Sequence, residues 1–200
     1  MPEGASPLHW ATDQGEIAEV ARLLRQGTDV NSKDADGQSA LNFAAFNGDA
    51  PLVKLLIEQK AAINATDPAG QTPLHAAAER GHAACAALLL AAGAKPSPTD
   101  NSKYTPLHGA AWNNHPDTAL LLLHHGAEVD ARTDDQETPL HKAAWRGNTH
   151  CAMVLLAHAA DVAAEDGFDL TPWDKANSDI ERLAHKRPGL QLLDRERSAQ

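Results

Sequence analysis

One four-residue phrase returns along this chain at a constant step of 33 positions. The copies begin at Ser6, Ser39, Thr72, Thr105, Thr138 and Thr171. Four of them read Ser-Pro-Leu-His or Thr-Pro-Leu-His, and the other two read Ser-Ala-Leu-Asn and Thr-Pro-Trp-Asp. A fixed period of this size is typical of proteins that stack one small structural unit many times. We therefore expect function to lie on a surface rather than in an enclosed pocket.

Each repeating unit predicts two short helices and a hairpin. The Ser or Thr that opens the phrase is a natural helix N-cap, and the proline after it suits the first helical position. Between the two helices, a glycine or asparagine stands where a left-handed backbone commonly ends a helix. These residues are Gly15, Gly48, Gly81, Asn114 and Gly147. An aspartate opens the following hairpin at Asp34, Asp67, Asp100 and Asp166.

With these motifs the chain resembles the ankyrin repeat family over nearly its whole length. The units span residues 1–33, 34–66, 67–99, 100–132, 133–165 and 166–198, and the first and last act as capping repeats. The resemblance implies an all-α repeat solenoid of helix-turn-helix units with a β-hairpin or loop, forming a single elongated domain over 1–198. It also implies a concave groove, lined by the first helices and the hairpin tips, that recognises proteins.

Several positions depart from the pattern. Lys60 and Ala159 stand where other units have glycine after the second helix, so either they are mildly strained or their loops differ. Pro96 and Pro98 remove two backbone donors, and we expect a distorted hairpin after them. In the last unit we expect a longer first helix and a short closing helix.

Composition narrows the partners and the compartment. A net charge of −10 argues against nucleic acid and against an acidic membrane surface, since both attract basic proteins. No apolar stretch near the N-terminus resembles a signal peptide, and no apolar run approaches the length needed to span a bilayer. Cys85 and Cys151 lie two units apart, too far for a disulfide, so both should be reduced core residues. We expect a monomer in the cytoplasm, with the nucleus as the alternative.

The histidines and carboxylates do not form a recognisable catalytic or metal-binding pattern. The family resemblance assigns His9, His75, His108 and His141 to hydrogen bonds between neighbouring hairpins. The adjacent His124 and His125 point in different directions on a helix, and no Cys pair or His-x-x-x-His spacing suggests zinc. A phosphate-binding loop and a nucleophile motif are also lacking. We predict no enzyme activity, no metal and no cofactor.

The aromatic residues are the most informative candidates for binding. Four units carry an Ala-Ala pair a few residues after the repeated phrase, and the resemblance places the residue after this pair in the groove. The residues at this position, one from each unit, form a column that contains Phe46, Trp112 and Trp145. Tyr104, on a hairpin tip, should open onto the same face. Either these rings lie flat on one another and widen the core, or they are binding hot spots, a role in which Trp and Tyr are enriched.

Polar residues border the predicted hot spots. The next column supplies Arg80, Asn113 and Arg146 as polar partners, and the hairpin tips supply an acidic rim of Asp36, Asp135 and Glu137. Apolar anchors with an acidic rim favour a protein partner that carries basic and hydrophobic side chains.

The sequence therefore predicts a non-enzymatic module for protein–protein interaction that binds through the concave groove. Two further interpretations remain open at this point. The chain could be an inhibitor or assembly chaperone of another protein, or a structural spacer in a larger complex that binds through its ends or its convex face. An enzyme or metal protein is the least favoured interpretation.

Overall fold

The computed structural model describes residues 6–176, which form a row of paired helices. Each unit begins with a helix that follows the repeated phrase. These first helices are α1 (Pro7–Asp13), α3 (Ala40–Asn47), α5 (Pro73–Glu79), α7 (Pro106–Trp112) and α9 (Pro139–Arg146). The second helices are α2 (Ile17–Arg25), α4 (Ala50–Glu58), α6 (Ala83–Ala91), α8 (Pro116–His124) and α10 (Thr149–Ala157). The predicted helix pairs are confirmed over this range.

The helices form two layers. Each first helix packs on the first helix of the next unit, and each second helix packs on the second helix of the next unit. The structure is all-helical between residues 6 and 176, and the single β-bridge described there joins Lys33 to Ser39. The predicted hairpins are therefore tight turns rather than paired strands. None of the described helices is long and apolar enough to cross a membrane.

Leucine and alanine fill the space between the layers. The leucines of the first five phrases are fully buried, and the largest fully buried side chains are almost all leucines. The Ala-Ala pairs Ala44/Ala45 and Ala77/Ala78 have no exposed surface, because small side chains let successive first helices approach closely. Cys85 and Cys151 are buried and unpaired, and burial raises their thiol pKa to about 11 and about 12, respectively.

The histidine of the phrase connects successive units. In the third unit, Thr72 and His75 form a capping box at the start of α5, and the His75 Nε2–H group donates to the Tyr104 carbonyl at 3.0 Å. His108 and His141 donate in the same way to the next hairpin, at Glu137 and Leu170. The bonds expected from the family resemblance are present in these three units. His9 differs, because its Nε2 atom contacts the Ser32 carbonyl instead.

Residues that replace glycine keep the glycine conformation. Lys60 and Ala159 have φ angles of 67° and 63°, so of the two alternatives the strained backbone is the one present. The hairpin residues Lys103, Gln136 and Asp169 are also left-handed, with φ between 58° and 60°. A side chain in this region costs on the order of 1 kcal/mol.

The two prolines of the third unit have a smaller effect than expected. The hairpin that follows them is regular, because Asp100 Oδ1 accepts the Ser102 and Tyr104 amides as Asp34 and Asp67 do in earlier units. The expected distortion of this hairpin was therefore wrong. The change is confined to the preceding turn, where Pro98 cannot donate the amide bond that Ala65 makes one unit earlier.

The last unit is described only as far as Ala176. Its hairpin turn is regular, and Thr171 pairs with Asp174 through its amide and hydroxyl groups, at 2.8 and 2.6 Å. Residues 172–175 form a turn. The longer first helix and the closing helix that the sequence predicts lie largely outside the described residues, as does the start of the first unit.

Candidate protein-binding surface

We use the name groove for the surface formed by the exposed ends of the first helices and the hairpin turns that precede them. The three aromatic residues of the predicted column lie there, near the ends of α3, α7 and α9. Phe46 is 43% exposed and Trp145 is 59% exposed, whereas Trp112 is half-buried. The rings of Trp112 and Trp145 meet edge to face, with centroids 5.3 Å apart. The structure thus brings the two tryptophans together, one unit from each other.

Two arginines of the neighbouring column stack on the rings. The Arg80 guanidinium lies 4.3 Å from the centre of the Phe46 ring, and the Arg146 guanidinium lies 4.9 Å from that of Trp112. A cation over an aromatic face is attracted by the ring quadrupole. In both pairs the ring comes from one unit and the arginine from the next, so the contacts order the groove across unit boundaries.

Tyr104 lies deeper in the groove than the sequence suggests. It is half-buried, and its ring packs against His108 at a centroid distance of 5.0 Å. Burial raises the pKa of its hydroxyl well above the ordinary value of 10. Lys142 Nζ lies 5.7 Å from both the Tyr104 and the Trp112 ring centres. Lys142, which lies outside the predicted set of site residues, therefore connects two of the predicted hot spots.

Glu137 does not lie on an exposed acidic rim. It is 7% exposed, and its carboxylate bonds to Lys142 and, at 2.7 Å, to Lys175. Lys175 also pairs with Asp166 and stands 6.0 Å from the Trp145 ring centre. Burial alone would raise the Glu137 pKa, but the hydrogen bonds from the two lysines hold it below the ordinary value of 4.5. Glu137 thus holds two lysines that lie near the aromatic rings of the groove.

The hairpin tips carry the exposed acidic groups and an apolar group that was missed. Asp36 and Asp135 are exposed, as expected for the acidic rim. Phe168 occupies the same column one unit after Asp135 and is 74% exposed. Leu170, on the same turn, is 39% exposed. The position of Phe168 in the tip column was the available sequence signal for a further apolar contact.

A cleft of about 560 Å³ opens around Arg80, between the ends of α3, α5 and α7. It is lined by Phe46, Asn47, Glu79, Arg80, His82, Asn113 and His115. The His82 ring donates to the Phe46 carbonyl and the His115 ring to the Glu79 carbonyl, each at 3.0 Å. The predicted polar residue Asn113 donates to the Gly109 carbonyl at 3.2 Å and so forms part of the cleft wall.

No metal centre is described between residues 6 and 176, where three or more His, Cys, Asp or Glu side chains never converge on one point. Outside the groove, the imidazoles of His124 and His158 form a pair whose ring centroids are 5.6 Å apart.

Comparison with known proteins supplies the family. No curated protein matches the chain. The family model described as ankyrin repeats (3 copies) matches at residues 1–67, 41–133 and 99–166, which together cover most of the chain. Ankyrin repeats are generally protein-binding and non-enzymatic. The matches overlap the units that carry the aromatic column, and this chain belongs to the ankyrin repeat family.

Proposed function

We propose that this chain is a non-enzymatic module that binds a protein partner through its groove. The observation that carries the proposal is the exposure of Phe46 and Trp145, which are 43% and 59% accessible on one face of the molecule. Aromatic rings gain a few kcal/mol on burial, and exposed ones tend to mark interaction sites. The groove therefore offers apolar area that a partner can cover.

The two tryptophans support a binding role in different ways. Trp112 is half-buried and contacts Trp145, Lys142 and Arg146, so part of its surface already stabilises the fold. Trp145 keeps most of its surface in solvent. The alternative in which the rings only widen the core fits Trp112 in part, and it fits Trp145 and Phe46 poorly.

We propose that the partner carries both hydrophobic and basic side chains. Its hydrophobic groups would cover Phe46, Trp145 and the tip residue Phe168, while its basic groups would approach Asp36 and Asp135 on the hairpin tips. Charges at the edge of an interface mainly set the rate of encounter and the choice of partner. We further propose that the chain acts as a monomer in the cytoplasm or nucleus, where the buried thiols of Cys85 and Cys151 stay reduced.

Affinity capture from the native lysate tests the groove. The bait proteins are the wild type, the Phe46→Ala, Trp145→Ala double variant, and Met153→Ala as the control. Met153 is 48% exposed on α10, in the other helix layer, so its truncation deletes exposed apolar surface away from the groove. We expect a protein retained by the wild type and the control to be lost with the double variant.

Equal retention by all three baits would contradict the groove assignment. Loss with Met153→Ala alone would favour the structural spacer, which would bind through the second-helix layer. For a retained partner, measuring its own activity or assembly with and without this chain separates an inhibitor or assembly chaperone from an adaptor.

A further inference from the structure

We propose that the groove contains two carboxylate-binding subsites, centred on Arg80 and Arg146, which bind two acidic side chains of one partner segment. This inference rests on the proposed function and specifies the chemistry of the groove edge opposite the acidic hairpin tips. The partner segment would thus present basic groups to the tips and acidic groups to the arginines.

The two arginine sites repeat one arrangement. In each, an aromatic residue at the end of a first helix meets an arginine of the next unit, as Phe46 meets Arg80 at 4.3 Å and Trp112 meets Arg146 at 4.9 Å. The unit that supplies the arginine also holds the carbonyl of the aromatic residue. His82 Nε2 donates to the Phe46 carbonyl at 3.0 Å, and Asn148 Nδ2 donates to the Trp112 carbonyl at 2.7 Å. The same geometry therefore recurs after two units.

The groove arginines differ from the other arginines of residues 6–176 in having no acceptor there. Arg22 pairs with Glu19, while Arg25 and Arg132 donate to backbone carbonyls. The guanidinium groups of Arg80 and Arg146 make no hydrogen bond or ion pair with this part of the chain, although both residues are exposed. A guanidinium that stacks on an aromatic ring, and whose N–H groups have no acceptor, is suited to bidentate hydrogen bonding with a carboxylate.

The surroundings of Arg80 supply one further donor and differ from those of Arg146. The Asn113 amide lines the cleft and has a second N–H group beside the one it donates to the Gly109 carbonyl, whereas the Nε2–H groups of His82 and His115 are already donated to backbone carbonyls. Glu79 also lines it, without pairing with Arg80, and its charge opposes a second carboxylate. At the second site the equivalent position is occupied by Trp145. We expect the Arg146 subsite to bind an acidic side chain more tightly than the Arg80 subsite.

The separation of the sites predicts a spacing in the partner. Neighbouring packed helices lie about 8 to 10 Å apart, so arginines two units apart are roughly 20 Å from each other. An extended segment advances about 3.3 Å per residue, which corresponds to acidic residues about six positions apart. In a helical segment, at about 1.5 Å per residue, the spacing would be about thirteen positions.

A displayed library of random peptides, each long enough to hold either spacing, tests the proposal when it is selected against the full-length protein. We expect enriched peptides to carry two acidic residues at one of these spacings, with apolar residues between them. Their affinity should fall about tenfold for Arg146→Gln and somewhat less for Arg80→Gln. Arg146→Lys should fall between wild type and Arg146→Gln, since lysine keeps the charge but not the fork. Arg25→Gln, an equal change of charge on α2, should leave affinity unchanged.

The outcomes separate this inference from the function on which it rests. Peptides that lose binding with Phe46→Ala, Trp145→Ala but lack paired acidic residues, and ignore Arg80→Gln and Arg146→Gln, would overturn the inference and leave the proposed function standing. Peptides that ignore all of these variants, or no enrichment at all, would contradict both. Enrichment of paired basic residues that bind more tightly to Arg146→Gln would also overturn the carboxylate subsites.

Discussion

The Nζ atom of Lys175 lies 2.7 Å from a carboxylate oxygen of Glu137, although the residues are 38 positions apart and belong to successive units. The Glu137 and Lys175 side chains are only 9% and 15% exposed. Removing one partner of a buried ion pair is costly, because it leaves the other charge uncompensated. We expect Glu137→Gln to lower the free energy of unfolding by about 3 kcal/mol, measured by urea denaturation.

Asp134→Asn is the matched control for this change. Asp134 pairs with Lys103 at 2.9 Å, but both side chains are more than half exposed, so its loss should cost well under about 1 kcal/mol. Similar losses for Asp134→Asn and Glu137→Gln would show that burial adds nothing to the Glu137 contacts.

Acid should weaken the ion pair that Lys175 forms with Asp166. Burial opposes ionisation of Asp166, but the Lys175 ion pair and the Phe168 and Leu170 amides lower its pKa to about 2 from 3.8. A carboxyl group whose pKa is lower in the folded state stabilises the fold at any pH above its unfolded-state pKa. This contribution is lost as the pH falls from the unfolded-state pKa through the folded-state pKa. We expect the unfolding free energy to drop between about pH 4.5 and pH 2. The drop should be smaller in Asp166→Asn, as urea titrations at each pH would measure; an equal drop would contradict the assignment.

A second pH effect arises from the buried histidines and falls in a higher window. Burial lowers the pKa of His108 to about 4 from 6.5, and the pKa values of His75 and His141 are lowered for the same reason. As the pH falls, these histidines are protonated in the unfolded chain before they are protonated in the folded one. Their contribution to the free energy of unfolding is therefore fully present above pH 6.5 and is lost as the pH falls toward 4. His108 alone should account for about 2 kcal/mol between pH 6.5 and 5.

Urea unfolding at pH 7.5, 6 and 5 measures the histidine effect, and His108→Asn supplies the comparison. Asn42 already occupies this column in the second unit, so the substitution fits the architecture. The variant should be less stable at pH 7.5, since it loses the bond to the Glu137 carbonyl, but its stability should depend less on pH. An unchanged pH dependence would rule out His108 as its source.

Two glycines separate steric contact from backbone strain. Both Gly48 and Gly93 are left-handed, with φ of +75° and +94°. A Cβ atom added at Gly48 would lie 2.6 Å from the His82 ring, whereas a Cβ atom added at Gly93 would have no other atom within 4 Å. We expect Gly93→Ala to cost about 1 kcal/mol of unfolding free energy. Gly48→Ala should cost clearly more, because it also displaces His82 from the Phe46 carbonyl; equal costs in urea denaturation would contradict the contact.

The buried hydroxyl of Thr118 offers a stabilising substitution. Thr118 is 1% exposed, and its Oγ1 atom has no hydrogen-bond partner. Thr118→Val replaces an unsatisfied polar group with an apolar one of similar shape, and we expect a gain of about 1 kcal/mol in denaturant unfolding. Thr12 is the control, since its buried hydroxyl donates to the Leu8 carbonyl at 2.8 Å, so Thr12→Val should not stabilise. A loss in Thr118→Val would mean that its hydroxyl is satisfied in solution.

The sequence predicted the helices and the placement of the aromatic residues because a constant period carries one position into every unit. α5, α7 and α9 each begin at the proline of the phrase, and Phe46, Trp112 and Trp145 lie near the helix ends as their column indicated. Such placement depends on the backbone conformation, which is nearly the same in every unit of a repeat protein.

Side-chain contacts were harder to predict. Glu137 was predicted to lie on the rim because it is an acidic residue of the hairpin tips, whereas its burial arises from contacts with two lysines. Lys142 and Lys175 follow Ala76 and Gly109 in their own column, so the pattern indicated no charge there. Their reach toward Glu137 depends on side-chain length and rotamer, which periodicity does not encode.

The alternation of the groove also bears on how such a chain can evolve in length. The ring and arginine that form each site come from different units, and the pattern recurs after two units rather than one. A genetic duplication of two consecutive units would add a third arginine in phase with the others. A duplication of a single unit would extend the solenoid but place the new unit out of phase. The molecule therefore has a structural repeat of one unit, whereas the contact between an aromatic ring and an arginine repeats after two units. Under the proposal made above, only a duplication of two units would add a carboxylate-binding subsite.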